Sequence, residues 1–420
     1  MDPIFLKVVV GTTLLASSSA VVGTFSYLKG QSLVGDAIAH ALLPGVVLAF
    51  MLGDGKNPAY LILGALVSGL IAHYGIAFIQ NRTKLKSDTA VSLVLSTFFG
   101  FGIMLMSVVQ QRGQGQQAGL ERYLLGKAAA ITMLDVYTFS ALALLLLLGV
   151  ALFYKGFQLM TFNEDFAHAI GLPVGLIRVT FTVLTVLAVT IGIQTVGVVL
   201  MAALLITPAA AARAWTKSLP QMIVLAAVFS AISAILGTLI SSAITKMPTG
   251  PWIVIILGLI GFTSLFIAPE KGWLFKRKRA LENRSKINRE NIMKLMYRQE
   301  EKRGLGNKLT GPQILSIRAM REDALRVGLK DLKKRLWIIE HIDGFALTDL
   351  GRMEGRRVVR LHRLWELYLT ERLGMAPDHI HPQAETMEHV ITPEIEALLI
   401  KELGMPERDP HKSLIPYENE

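Results

Sequence analysis

The sequence contains no cysteine, which excludes disulfide cross-links, thiolate metal sites and thiol nucleophiles. Any metal chemistry has to run through His, Asp, Glu, Met or backbone oxygen. The phosphate-binding pattern G-x-x-x-x-G-K-[ST] is also missing, and the nearest run, Gly304-Leu-Gly-Asn-Lys308-Leu-Thr310-Gly311, has the wrong spacing. Nucleotide hydrolysis, if the protein depends on it, must be supplied in trans. Charge is scarce over the first two thirds of the chain. Of the 43 Lys and Arg, 29 lie at or after Glu270, as do 24 of the 32 Asp and Glu.

What fills that first part is apolar sequence. Hydrophobic residues make up 52% of the whole chain, above a soluble globular average. A membrane span needs about 20 apolar residues, and eight windows qualify: Phe5–Tyr27, Asp36–Leu52, Ala59–Ile79, Thr89–Val109, Leu134–Phe153, Val179–Ile206, Met222–Ile244 and Trp252–Ala268. The expectation is an all-α polytopic membrane protein over residues 1–269, followed by a separate charged, soluble part. Phe5–Tyr27 is too long for a leader core and lacks a small-residue cleavage site, so it reads as a retained span. Val179–Arg213 is long for one helix and short for two, and a turn at Gly192–Gly197 would divide it into a span and a re-entrant segment. With the tail in the cytoplasm, the span count places Arg112, Arg122, Lys127, Arg213 and Lys217 inside, but it leaves Arg82, Lys84 and Lys86 outside, against the positive-inside rule.

Asp36 and His40 stand four apart in the second span, one above the other on a helix face. An ionisable group at membrane depth costs at least ~2.5–3.5 kcal/mol and so faces a partner or a polar pathway. A carboxylate and an imidazole at this spacing can ligate one divalent cation. The plainer alternative is an interfacial Asp36 with His40 bonded to a neighbouring carbonyl. His73, in the third span, reads as a hydrogen-bonded core histidine.

After the last span, Lys276-Arg277-Lys278-Arg279 opens a basic linker, 270–289, read as a stop-transfer anchor at anionic headgroups or as a protease-accessible joint. Beyond it the pattern predicts helices at Glu290–Arg303, Gly311–Ala319 and Arg321–Trp337 and a two-stranded wing around Ile338–Leu350, the outline of a winged helix-turn-helix over 290–350. Helices at Gly351–Leu373 and Pro382–Leu403 then form a helical domain over 351–420. Charge divides the same way. Lys276 to Arg363 holds 24 basic and 11 acidic residues, whereas the remainder holds 4 and 12. A basic module suits phosphate contact and an acidic one suits cations. Arg326, Lys330, Lys333 and Lys334 lie along the recognition helix as DNA-contact candidates, or else form a solvated face. In the acidic part, His362 and Glu366 are four apart, and Glu385, Glu388 and His389 share one helix face with His381 at its start, a donor set for divalent ions.

Two resemblances sharpen these readings. The run Ser32-Leu-Val-Gly-Asp36-Ala-Ile-Ala-His40-Ala-Leu-Leu-Pro44-Gly45 resembles the signature of the manganese/zinc/iron permeases of ABC importers. Four further stretches follow in that family's order: Lys86-Ser-Asp88-Thr-Ala, Tyr123-Leu-Leu-Gly126, Phe166-Ala-His-Ala-Ile-Gly171-Leu-Pro173 and Val196–Arg213. The likeness covers about Phe5 to Ala268. It implies a homodimeric or heterodimeric permease, a separate ABC ATPase, and an extracytoplasmic protein that delivers Mn, Fe or Zn. It makes Asp36 and His40 intramembrane metal ligands, with Asp88 a further candidate. Thr207–Ser218, with Thr207, Pro208 and Arg213, falls where the ATPase coupling contact would lie.

The tail, from Asn288 to Pro416, resembles the diphtheria-toxin-repressor family of metal-dependent regulators. The likeness rests on Leu347-Thr-x-Leu-Gly351-Arg, Arg360-x-His362-Arg-Leu-x-Glu366, the His381…Glu385…Glu388-His389 cluster and Asp409-Pro-His-Lys-Ser-Leu-Ile-Pro416. It places His362, Glu366, His381, Glu385, Glu388 and His389 on that family's ligand positions. Two departures stand out: where the first helix of that family supplies an acidic or Met ligand, this chain has Asn291, with Lys294 nearby; and the helix-turn-helix itself matches the family poorly, which bears on DNA binding. The expected protein is a permease subunit of an ATP-driven importer in the inner membrane of a bacterium, itself no enzyme and without an organic cofactor. Its cytoplasmic tail is expected to resemble a metal sensor that acts on operator DNA or gates transport. The alternative is a membrane-tethered, metal-dependent transcription regulator.

Overall fold

The computed structural model describes residues 3–53, 58–111, 131–244, 247–269, 271–375, 387–389 and 391–417. The chain divides into two compact units, Met1–Lys276 and Arg277–Glu420.

The first unit is helical: α1 (Pro3–Leu28), α2 (Ser32–Leu52), α3 (Pro58–Arg82), α4 (Ser87–Gln111), α5 (Met133–Phe162), the short α6 (Glu164–Ala169), α7 (Val174–Val196), α8 (Val198–Trp215), α9 (Leu219–Ala243) and α10 (Thr249–Ile267). Eight of these, all but α6 and α8, are long and apolar enough to cross a membrane, as the apolar windows predict. The doubtful stretch 179–213 resolves into two helices broken at Gly197, whose φ of 88° and ψ of 166° suit only glycine. Arg112, Arg122 and Lys127, expected in the cytoplasm, and the motif at Tyr123–Gly126 lie outside the described residues.

Small residues set how closely these helices approach. Apolar lipid gives no hydrophobic push between helices, so packing and hydrogen bonds hold them together. Ser230 Oγ donates to the Ala16 carbonyl at 2.9 Å, and Thr12 and Thr238 share a hydroxyl contact of 3.3 Å, tying α1 to α9. Gly45 of α2 and Gly64 of α3 bring two backbones into contact: a Cβ on Gly45 would lie 2.1 Å from the Gly64 carbonyl oxygen. A Cβ on Gly23 would meet the Leu205 carbonyl oxygen at 1.8 Å, so α1 and α8 also touch through their main chains. The outer faces of α3, α4 and α5 keep large apolar side chains exposed, among them Leu63, Phe101 and Leu148, as lipid-facing helices do.

The second unit follows from α11 (Trp273–Arg303), and here the helix starts earlier than expected. The stretch read as a linker, 270–289, is helical from Trp273 onwards. Its residues explain this: Lys276–Arg289 contains neither Gly nor Pro and is rich in Arg and Lys, both good helix formers, with Lys278–Glu282 at 3.9 Å and Lys286–Glu290 at 3.8 Å as one-turn pairs. Then come α12 (Gly311–Ile317), α13 (Glu322–Lys334), the hairpin β1 (Ile338–His341) with β2 (Gly344–Leu347), α14 (Asp349–Glu371) and α15 (Pro393–Glu402). Thr310, Thr348 and Thr392 cap α12, α14 and α15 through their hydroxyls. Ile292, Met296, Leu309, Leu325, Leu332 and Val359 form a shared core beneath the wing. This is the winged-helix outline followed by a helical domain that the pattern predicts.

Candidate metal centres

Helix α2 is among the most deeply enclosed helices of the first unit, and it carries the intramembrane pair. Asp36 Oδ1 lies 3.7 Å from His40 Nε2, with side-chain exposures of 38% and 21%. One helical turn aligns them on a single face. The His40 ring packs edge-to-face with Phe99 of α4, with ring centres 4.9 Å apart. His40 Nδ1 is buried and has no hydrogen-bond partner among the described residues. Carboxylate oxygen and imidazole nitrogen form a borderline-hard donor pair suited to Mn²⁺, Fe²⁺ or Zn²⁺.

The other membrane candidates are placed differently. Asp88 sits exposed in the first turn of α4, on a different helix from Asp36 and His40. His73 Nε2 lies 3.0 Å from Thr182 Oγ1, linking α3 to α7 as a core histidine would. In α8, Pro208 is buried while Thr207 and Arg213 are half-buried, and the exposed positions are Trp215 at its end and Lys217 and Ser218 just beyond. Lys271 Nζ donates to the carbonyls of Arg213 and Thr216 at 2.9 and 2.8 Å, satisfying main-chain acceptors at the C-terminal end of α8.

In the tail, α14 and residues 387–389 bring His362, Glu366, Glu388 and His389 together; His381 and Glu385 lie outside the described residues. His362 Nε2 is 2.9 Å from Glu366 Oε1, its Nδ1 contacts Glu388 Oε2, and His389 Nε2 is 3.6 Å from Glu388 Oε1. Two residues of α11 enter the same cluster. Glu290 Oε2 accepts from His389 Nδ1 at 2.6 Å. Lys294, 2% exposed, places Nζ 2.7 and 3.0 Å from the two Glu388 oxygens and 2.9 Å from His362 Nδ1. Burial pushes the Glu388 carboxyl up, but the His362 hydrogen bond and the Lys294 ammonium outweigh it and hold the group below its ordinary range.

The donor types suit a divalent ion, and four of the six candidates meet here. Among the described residues, no group of three or more His, Asp or Glu is disposed to hold a metal ion. An ammonium already hydrogen-bonds the Glu388 carboxylate and lies 2.9 Å from the His362 ring nitrogen beside it. Sequence reasoning missed the parts played by Lys294 and Glu290; their one-turn spacing on a helix stretch with apolar neighbours was the available signal.

The winged helix presents a separate surface. Arg326, Lys330, Lys333 and Lys334 on α13 contrast with its buried Leu325, Gly328 and Leu332: Arg326, Lys333 and Lys334 are exposed, and so is Lys330. Lys333 is engaged with Glu340 of the wing at 2.5 Å. Arg289 of α11 pins α13 through Asp331 at 2.6 Å.

Comparison with known proteins decides the membrane part. The sequence pattern of the ABC 3 transport family matches residues 1–268. The chain belongs to the ABC 3 transport family. Its tail, residues 348–417, matches the iron dependent repressor metal binding and dimerisation domain. Among ABC 3 relatives, the manganese transport system membrane protein MntC of Bacillus subtilis is 37% identical over 412 residues, spanning 96% of this chain and 93% of that protein. The zinc transport system membrane protein TroC of Treponema pallidum is 42% identical over 270 residues, 64% of this chain and 91% of that one. A solved structure, PsaBC from Streptococcus pneumoniae in complex with Fab, is 32% identical with a TM-score of 0.58. The match covers 66% of this chain and 96% of that one. The molecule is thus a multi-pass ABC 3 transporter subunit, not an enzyme, with a regulator-like domain fused to its C-terminal end.

Proposed function

We propose that this chain is the permease subunit of an ATP-driven importer of a divalent transition metal (Mn²⁺, Zn²⁺ or Fe²⁺) in a bacterial inner membrane. The observation that carries this is the Asp36–His40 pair, aligned 3.7 Å apart on one face of an enclosed membrane helix, with one imidazole nitrogen left unpartnered among the described residues. Two donors fall short of the four to six that these ions take. A second copy, or a related permease, supplies the remainder by presenting its own pair across the dimer. An extracytoplasmic binding protein delivers the ion, and a separate ATPase docks on the exposed end of α8 beyond Thr207, Pro208 and Arg213. Asp88, exposed at the start of α4, serves as an entry or exit contact for the ion.

The tail lies in the cytoplasm. Its donors His362, Glu366, His381, Glu385, Glu388 and His389 form a cation centre, and Arg326, Lys330, Lys333 and Lys334 contact phosphates of operator DNA. Uptake of radioactive Mn²⁺ by cells carrying the Asp36→Ala, His40→Ala chain tests the transport reading. Loss of uptake at normal membrane abundance supports it, and unchanged uptake sinks it. A gel shift with full-length protein in detergent tests the DNA reading independently.

A further inference from the structure

Lys294 gives the tail cluster a cation of its own. A divalent ion bound to Glu and His sits about 2.0–2.2 Å from its ligand atoms. Here Lys294 Nζ lies beside both donors, 2.7 Å from Glu388 Oε2 and 2.9 Å from His362 Nδ1. The first is a length expected of an ammonium hydrogen-bonded to a carboxylate, and the His362 ring shares the same carboxylate through Nδ1. The lysine is not a surface group that happens to lean inward. Its helix neighbours Ile292, Met293, Leu295 and Met296 are all buried, and the side chain itself is 2% exposed. One turn earlier on α11, Glu290 engages His389, so the same helix face meets three of the candidate ligands with groups of the protein.

We propose that Lys294 is a tethered cation that takes the place of a divalent ion between His362 and Glu388, so that the tail assembles this cluster without metal there. The inference rests on reading the cluster as a cation centre. The stabilisation that a free ion gives a domain grows with its concentration, logarithmically once the site is filled, whereas a lysine built into the helix is present at every metal level. The domain is thereby held together through this position whatever the cell's metal supply, and Glu388 and His362 do not report it.

The test uses the full chain in detergent, with Asp36→Asn and His40→Gln added to silence the membrane pair. Bound Mn²⁺ per chain is measured by equilibrium dialysis, and melting of the tail is followed with and without Mn²⁺. The chain with Lys294 intact is expected to show no Mn²⁺ binding that changes on adding Glu388→Gln, and no Mn²⁺-dependent rise in Tm. Lys294→Met is expected to gain one Mn²⁺ per chain and a Tm that rises with Mn²⁺, both abolished when Glu388→Gln is added. Mn²⁺ bound by the Lys294 chain and abolished by Glu388→Gln overturns the lysine proposal and leaves the cation centre standing; this arm decides even where Lys294→Met does not fold. A folded Lys294→Met chain that gains no Mn²⁺ overturns both the lysine proposal and the cation-centre reading.

Discussion

Lys294 and Glu388 form a charge pair 2.7 Å apart, with side-chain exposures of 2% and 0%. Two charges enclosed to that degree are held by each other, and neither has water to fall back on. Removing one partner of such a pair costs about 3–5 kcal/mol, whereas replacing both by apolar groups of similar volume is often neutral. Glu388→Leu alone is therefore expected to melt the tail early, and Lys294→Met with Glu388→Leu to recover much of the loss. Thermal unfolding of the single and double variants measures this, and additive losses would contradict it.

Gly197 separates α7 from α8 at a backbone conformation closed to other residues. Gly197→Ala is expected to cost about 1–3 kcal/mol of strain and to lower the yield of monodisperse protein. Size-exclusion chromatography after mild heating reads the effect. A variant as stable as the parent would mean that the break tolerates a side chain.

Asp331 ties α13 to α11. Burial pushes its carboxyl up, but the hydrogen bond from Arg289 and the charges of Arg335 and Arg289 reverse this and hold it below the usual carboxylate range. A group depressed in the folded state stabilises above its unfolded pKa, and that contribution disappears as pH falls through the folded value. Asp331→Asn should cost no more than about 1 kcal/mol at neutral pH. It should also flatten the fall in tail stability on acidification below the ordinary carboxylate range. Urea unfolding at several pH values checks both points.

The exposed basic face of α13 predicts salt-dependent DNA binding. Deleting one cation that neutralises a phosphate should reduce the slope of log affinity against log salt by about 0.9. Arg326→Ala with Lys330→Ala should therefore weaken operator binding and make it less sensitive to salt. Weaker binding with an unaltered slope would mean that other residues meet the phosphates.

Much of the fold is legible in the sequence because membrane spans and helix faces are local patterns. Windows of apolar residues near Phe5, Leu134 and Met222 can be only spans, and the break suspected between Gly192 and Gly197 falls at a residue that suits it. Asp36 and His40 need nothing but helical spacing to be aligned. Lys294 is different. Its spacing shows only that it lies one turn from Glu290, and which helix it faces is set by how α11 crosses α14, where Gly355 allows close approach to Tyr297. The helical character of 273–289 is hidden for another reason: a run of basic residues suggests a linker, although Lys, Arg, Leu and Glu all favour helix.

Where the main chains of Gly45 and Gly64 touch, with only the small side chains of Ala49 and Ser68 beside them, α2 and α3 stand closer than a Cβ at either glycine would allow. Asp36 and His40 ride on one member of that couple. A transport cycle that moved α2 against α3 would have to part this backbone contact, whereas one that carries the two helices together leaves it whole, with Asp36 and His40 travelling on the same body.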